Sequence, residues 1–342
     1  MCGGDGDCVT AGRRLTWRFG SVQYGRSMRY QPLGNSGLHV SAVGLGGNNF
    51  GRAVDLDGTR AVVDAAIDEG ITLIDTADMY GTGASEELLG EVLKGRRDQV
   101  VLATKFGNQN HDMGFGPAAG AYGGRAYIRR AVEASLRRLN TDYIDLYQIH
   151  TPDPATPIAE TLAALHELVL EGKVRYIGHS NFSGWQIAQA DHTAKELGTT
   201  AFISAQNHWS LLERKVESEV VPASLEYRLG VLPFFPLAMG MLTGKVRRGQ
   251  ALEAGTRLSQ RESFITEAKL DAVEALVAWA DENAVSLLDV GIGALAAKPG
   301  CASVIAGATK PEQVRANAAA GQWRPTPQQA EEIDAITERF TA

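Results

Sequence analysis

Val100-Val101-Leu102-Ala103-Thr104-Lys105 is an apolar run that ends in a cation, and beyond a glycine-rich loop Arg125–Leu139 carries apolar residues at helical spacing. The pattern then repeats. Tyr143-Ile144-Asp145-Leu146-Tyr147-Gln148-Ile149-His150 leads into the helical stretch Ile158–Glu171, and Val174-Arg175-Tyr176-Ile177-Gly178-His179-Ser180 leads into Trp185–Leu197. Short runs of this kind read as strands buried in a parallel sheet, with the helices as crossovers. Upstream, Ala42–Gly46 precedes the helical stretch Asp57–Glu69, stopped by Gly70, and Thr72–Asp75 precedes Ala84–Lys94. Downstream, Phe202–Gln206 precedes Arg214–Arg228, and Val231–Phe235 precedes helices within Ile265–Ala284 and Ser286–Ala297. Ser303–Gly307 precedes Pro311–Ala320, and a last helix, Pro327–Arg339, closes the chain. Eight such units without a break in composition predict an α/β fold, one (β/α)8 TIM barrel over residues 28–342. Within Arg29–Ser41, Gly34-Asn35-Ser36-Gly37 joins two short runs and predicts an N-terminal β-hairpin. The alternative, an open doubly wound sheet, is disfavoured because no Gly-x-Gly-x-x-Gly joins a strand to a helix. Gly44, Gly46 and Gly47 come near that motif, but Asn48-Asn49-Phe50 does not open a helix.

Composition narrows the function. The 342 residues are 44% hydrophobic and 21% charged, as in ordinary globular chains. A formal net charge of −7 offers no attraction to nucleic acid or anionic membranes. Arg96-Arg97 and Arg247-Arg248 are too short to be nucleic-acid patches, and no stretch approaches the ~20 apolar residues of a membrane helix. Cys2, Cys8 and Cys301 make neither a disulfide framework nor a zinc site, so a reducing, cytoplasmic setting is expected. His166, His179, His192 and His208 lack metal-ligand spacing, and no metal is expected. Residues 1–27 have no apolar core of a secretory signal and read as a flexible tail.

In such a barrel the chemistry belongs at the C-terminal ends of the strands. The polar residues there are Asp75, Lys105, His150, Ser180 with Asn181, and Gln206, with Tyr80 in the loop just after Asp75. A charge at a buried strand end needs a partner, and Asp75 and Lys105 end successive strands. Reduction of a carbonyl needs a hydride donor and a proton donor. Tyrosine is a poor acid at neutral pH, but a nearby ammonium favours its phenolate. Lys105 would tune Tyr80, Asp75 would anchor Lys105, and His150 would orient the substrate carbonyl or relay the proton. A lone lysine at a strand end would equally suit a Schiff-base aldolase.

The residues that carry this chemistry lie in five segments whose order resembles the aldo-keto reductase family. The segments are Ile74-Asp75-Thr76-Ala77-Asp78-Met79-Tyr80-Gly81, Ala103-Thr104-Lys105, Ile144–His150, Gly172–Asn181 and Pro236–Lys245. The resemblance implies that Asp75, Tyr80, Lys105 and His150 are the catalytic tetrad and that Ser180, Asn181 and Gln206 hold a nicotinamide carboxamide. It implies that Trp209, three residues after Gln206, stacks on the nicotinamide. It places Pro236, Leu237, Gly240, Leu242 and Lys245 over the pyrophosphate, with Phe235 where the family often has serine. Gly47 and Asn48 join the cofactor set. Gly307, Thr309, Lys310, Gln313 and Asn317 would hold the adenosine 2′-phosphate and adenine, which makes NADPH the expected cofactor and NADH the alternative. A small-molecule carbonyl compound is the expected partner, with Asn49, Phe50, Phe115 and Trp185 as substrate contacts on long loops. A low-turnover NADPH-binding sensor or regulatory subunit is the competing function.

Overall fold

The computed structural model describes residues 28–252, 258–259 and 261–341; the expected tail, 1–27, lies outside the described residues. An antiparallel hairpin comes first, β1 (Tyr30–Pro32) with β2 (His39–Ser41). Eight parallel strands follow: β3 (Val43–Gly46), β4 (Leu73–Asp75), β5 (Val101–Phe106), β6 (Ile144–Ile149), β7 (Val174–Ser180), β8 (Ser204–Gln206), β9 (Gly230–Val231) and β10 (Val304–Gly307). They pair in the order β10-β3-β4-β5-β6-β7-β8-β9. The last gap, between β9 and β10, is bridged by Val231 N–H to Gly300 O at 2.8 Å, Ala302 N–H to Val231 O at 2.8 Å and Ile305 N–H to Pro233 O at 3.0 Å. The sheet therefore curls back on itself, as the predicted (β/α)8 barrel requires.

Helices α1 (Leu56–Asp68), α2 (Ala84–Val92), α3 (Arg125–Leu139), α4 (Ile158–Leu170) and α5 (Gly184–Leu197) each connect one strand to the next. The later connections are α6 (Val220–Glu226), then α7 (Glu267–Glu282) with α8 (Leu287–Asp289), then α9 (Pro311–Ala320), and α10 (Pro327–Thr341) ends the chain. Two expected elements are cut short at a proline. Arg214–Arg228 is a tight turn at Lys215–Ser218 and then α6, because Pro222 has no N–H and is tolerated only in a first turn. Pro233 removes a ladder donor in the same way, so β9 is only two residues long, although Phe234 still bridges His208.

Strand alternation sets the site. Leu73, Ala103 and Leu146 pack inside the barrel with Leu232, Ile305 and the hairpin's Leu33, while Ile74, Leu102 and Tyr147 face the helices. Two residues further along the same face, Asp75 stands above Leu73, Lys105 above Ala103 and Gln148 above Leu146. The hairpin plugs the opposite end. Gly34 makes this fit possible, since its φ is +58° and a Cβ there would lie 2.3 Å from Ile203 O.

Candidate active site

Lys105 is the centre of the cluster. Its side chain is 1% exposed, and its Nζ donates to Asp75 Oδ2 at 2.6 Å, to Thr76 O at 2.8 Å and to Tyr80 Oη at 3.4 Å. A lysine ammonium has three donors. Two are held by fixed acceptors, so the third is aimed at the phenol. The other carboxylate oxygen, Asp75 Oδ1, accepts from Gln206 Nε2 at 2.9 Å and from Gln148 Nε2 at 3.3 Å. Burial works to lower the Lys105 pKa, but the Asp75 charge, the Tyr80 charge and the hydrogen bonds to both outweigh it, and the pKa ends above the ordinary lysine value. Lys105 is therefore a permanent cation at neutral pH.

His150 follows β6, and its imidazole stands edge-on to Tyr80 with ring centroids 6.1 Å apart. It is 8% exposed, and its Nδ1 has no hydrogen-bond partner among the described residues. Burial, then the Lys105 charge, pushes its pKa down to about 3. At neutral pH the ring is uncharged, so it can donate one N–H but cannot act as an imidazolium acid.

The cofactor candidates end the neighbouring strands. Ser180 Oγ donates to Gln206 O at 2.8 Å, and Asn181, at φ +61°, donates through Nδ2 to His150 O at 3.0 Å. Gly47 N–H donates to Asp75 O at 2.8 Å, and a Cβ on Gly47 would lie 3.1 Å from Ser85 Oγ and 3.3 Å from Asp75 O, so the β3 end packs tightly on the β4 end; Asn48 follows it. Pro236, Leu237, Gly240 and Lys245 lie on or beside the turns of Ala238–Thr243, where Met239 and Gly240 take φ of +60° and +111°. Gly307, Thr309 and Lys310 lead into α9.

Several expected contacts are placed elsewhere. Trp209 is 1% exposed, and its indole N–H donates to Glu217 Oε1 at 2.9 Å, so its ring faces the core and not the mouth. Two half-buried aromatics stand at that edge: Phe234, stacked on His208 at 5.5 Å, and Phe235, edge-on to His208 at 5.5 Å. A β-strand reading of Val231–Phe235 contained the signal, an aromatic at a strand end. Phe50 is 0% exposed and belongs to the core. Phe115 packs edge-on to Tyr127 of α3 at 5.2 Å, and its carbonyl accepts from Arg130 at 2.7 Å, so it sits against the helix layer. Trp185 is 61% exposed in the first turn of α5, where its N–H donates to Glu219. Asn49 Nδ2 donates to Ala308 O at 3.3 Å, which ties it to the β10 end. The Leu242 side chain is core, leaving only its backbone for a ligand. Gln313 Oε1 folds back onto Thr309 N–H at 2.7 Å and Lys310 N–H at 3.2 Å, and Asn317 is 6% exposed.

The profile described as the aldo/keto reductase family matches residues 42–338. The chain belongs to that family. It is 38% identical over 295 residues to an uncharacterized oxidoreductase, YrpG, of Bacillus subtilis (strain 168), covering 84% of this chain and 89% of the relative. Aldo-keto reductase YhdN of the same organism is 35% identical over 323 residues, 91% of this chain and 94% of the relative. A probable voltage-gated potassium channel subunit beta of Oryza sativa subsp. japonica is 34% identical over 328 residues, 91% of this chain and 97% of the relative. An oxidoreductase role follows from the family and these relatives. Among the described residues no helix is long and apolar enough to cross a membrane.

Proposed function

We propose that the protein reduces an aldehyde or ketone to an alcohol with NADPH, and that Tyr80 gives the proton. When bound, NADPH supplies the hydride for the carbonyl carbon and leaves as NADP⁺. Tyr80 Oη transfers its proton to the carbonyl oxygen, and the Lys105 ammonium, 3.4 Å away, stabilises the phenolate left behind. Asp75 and Thr76 O hold that ammonium on target. Neutral His150 donates a hydrogen bond that orients the carbonyl, and its low pKa leaves the acid role to Tyr80.

The residues fit a nicotinamide dinucleotide. Ser180, Asn181 and Gln206 supply hydroxyl and carboxamide groups at adjacent strand ends, and half-buried Phe234 offers a flat face in place of Trp209. Lys310 at the start of the ten-residue α9 suits a phosphate and favours NADPH over NADH. Asn49, tied to the β10 end, belongs with this cofactor edge. The cysteine usage favours a cytoplasmic enzyme.

The observation that carries the reading is the ammonium shared by Asp75 and Tyr80 at the barrel mouth. A charged lysine weighs against an aldolase, which needs a neutral amine as nucleophile. The relatives named as probable channel beta subunits favour a second reading, a low-turnover NADPH-binding regulatory subunit. Steady-state NADPH oxidation separates the two. Turnover is expected with a reactive aromatic aldehyde and slower turnover with NADH. Absence of turnover across a panel of aldehydes and ketones with either cofactor would refute the enzymatic reading.

A further inference from the structure

Behind the tetrad, between β5, β6 and the helices α2 and α3, lies a second group of buried polar side chains. Glu86 of α2 is 0% exposed and fully engaged: its Oε1 accepts from Thr104 Oγ1 at 2.6 Å and its Oε2 from Arg138 Nε at 2.7 Å. Asp78 is 1% exposed, and no side chain among the described residues donates to either carboxyl oxygen, leaving the Met79 N–H beside it. The Tyr127 and Tyr147 hydroxyls are buried without partners, and the Asp78 charge acts on both phenols. Two carboxyl groups thus share one buried compartment, and only Glu86 has a cation and a hydroxyl donor. Two like charges there destabilise each other, so the one without a hydrogen-bonded cation takes the proton.

Asp78 also lies beside Lys105: its N–H donates to Lys105 O at 3.1 Å, and its carboxyl lies within the field of the Lys105 charge. We propose that Asp78 is a positioning residue that works as a neutral carboxylic acid, and that its ionisation weakens the action of Lys105 on Tyr80 and slows turnover. This rests on the reductase reading above. The charged and titratable groups that face Asp78 are Glu86 from α2, Arg138 and Tyr127 from α3, Lys105 from β5 and Tyr147 from β6. Burial, then the Glu86 charge, pushes the Asp78 carboxyl up to about 7, with Arg138, the Met79 N–H and Lys105 opposing. Ionised, it sets a second carboxylate near the Lys105 ammonium. The Lys105 field at Tyr80 is then partly cancelled, and the phenol becomes a weaker acid.

The test is the pH profile of kcat for the wild-type chain and for Asp78→Asn, which keeps the shape and cannot ionise. The wild-type kcat is expected to fall with a midpoint near neutrality. In Asp78→Asn the midpoint should move up by about one pH unit or more, while the KM for NADPH stays within about two-fold. A merely structural role would change stability at every pH and leave the midpoint in place. An unchanged midpoint, or a variant inactive at every pH, would overturn the proposal. Carbon-13 labelling of aspartate carboxyls in the wild-type protein gives a readout that needs neither turnover nor a folded variant. One resonance should titrate near pH 7, and a set of aspartates all ionised by pH 5 would overturn the proposal. If NADPH turnover is absent but that resonance is found, the reductase reading fails and the buried acid stands.

Discussion

Asp75→Asn removes the charge that keeps Lys105 protonated while barely changing shape. In the native site Asp75 Oδ2 lies 2.6 Å from Lys105 Nζ, and the two side chains are 3% and 1% exposed. Asparagine can turn its oxygen to the lysine, but its amide then meets the Gln206 and Gln148 donors that Oδ1 now accepts, donor against donor. Breaking a buried pair by removing one partner costs about 3–5 kcal/mol. The lysine can limit the loss by giving up its proton. At about 1.36 kcal/mol per unit, over the ~3.5 units from pH 7 to a free lysine, that escape costs about 5 kcal/mol, so the two routes agree. The pH dependence has a definite sign. Native Lys105 has a raised pKa, so its contribution is complete below pH 10.5 and is lost as pH climbs through the higher folded value. In the variant the Asp75 charge no longer opposes burial and the pKa falls, so the stability gap between the two proteins should narrow as pH rises from 7 towards 10. Urea unfolding at pH 7 and pH 9.5 reads the gap. Turnover measured on folded variant at low temperature should fall by about 10²-fold or more, since a neutral amine no longer supports the phenolate. A loss under about 1 kcal/mol with kcat within about three-fold of native would refute the reasoning.

Further outcomes follow from other parts of the barrel. His179 is fully buried between Phe182 and Phe202, both ring nitrogens are unpartnered, and burial lowers its pKa to about 3. The unfolded chain therefore takes up the proton first, and stability drains away as pH falls from 6.5 towards 3. His179→Phe should be more favourable at pH 5 than at pH 8 by about 2 kcal/mol, and equal effects in urea at both pH values would contradict this. Gly34→Ala should cost about 2 kcal/mol or more, because the new Cβ meets Ile203 O in a left-handed backbone; a urea midpoint unchanged from native would count against the plug. Phe234→Ala should weaken NADPH binding about ten-fold by fluorescence titration, whereas Phe115→Ala should leave the carbonyl KM unaltered. The reverse pattern would restore the mouth to Phe115.

The barrel was legible because each unit carries its own signal. Arg125–Leu139, Val174–Ser180 and Pro311–Ala320 were bounded as they stand in the structure. The cluster at the barrel mouth was legible because Asp75, Lys105 and His150 are polar residues that end apolar runs. Depth was not legible. Trp209 and Phe50 look like mouth aromatics by their position after a strand, yet both pack in the core. Phe115 lies in a loop whose length says function and whose course over α3 cannot be read from spacing. Gln313 is drawn back to cap its own helix, a local hydrogen bond that competes with any ligand. Asp78 sits inside the Ile74–Gly81 motif, but nothing in the motif says that its carboxyl is left without a side-chain donor.

Tyr80→Phe tests the central claim, because it removes one oxygen and leaves Lys105, Asp75 and the cofactor groups in place. Steady-state NADPH consumption with an aromatic aldehyde should drop by about 10²-fold or more in kcat, while NADPH binding by fluorescence stays near native. A variant that binds NADPH and turns over near the native rate would contradict the account.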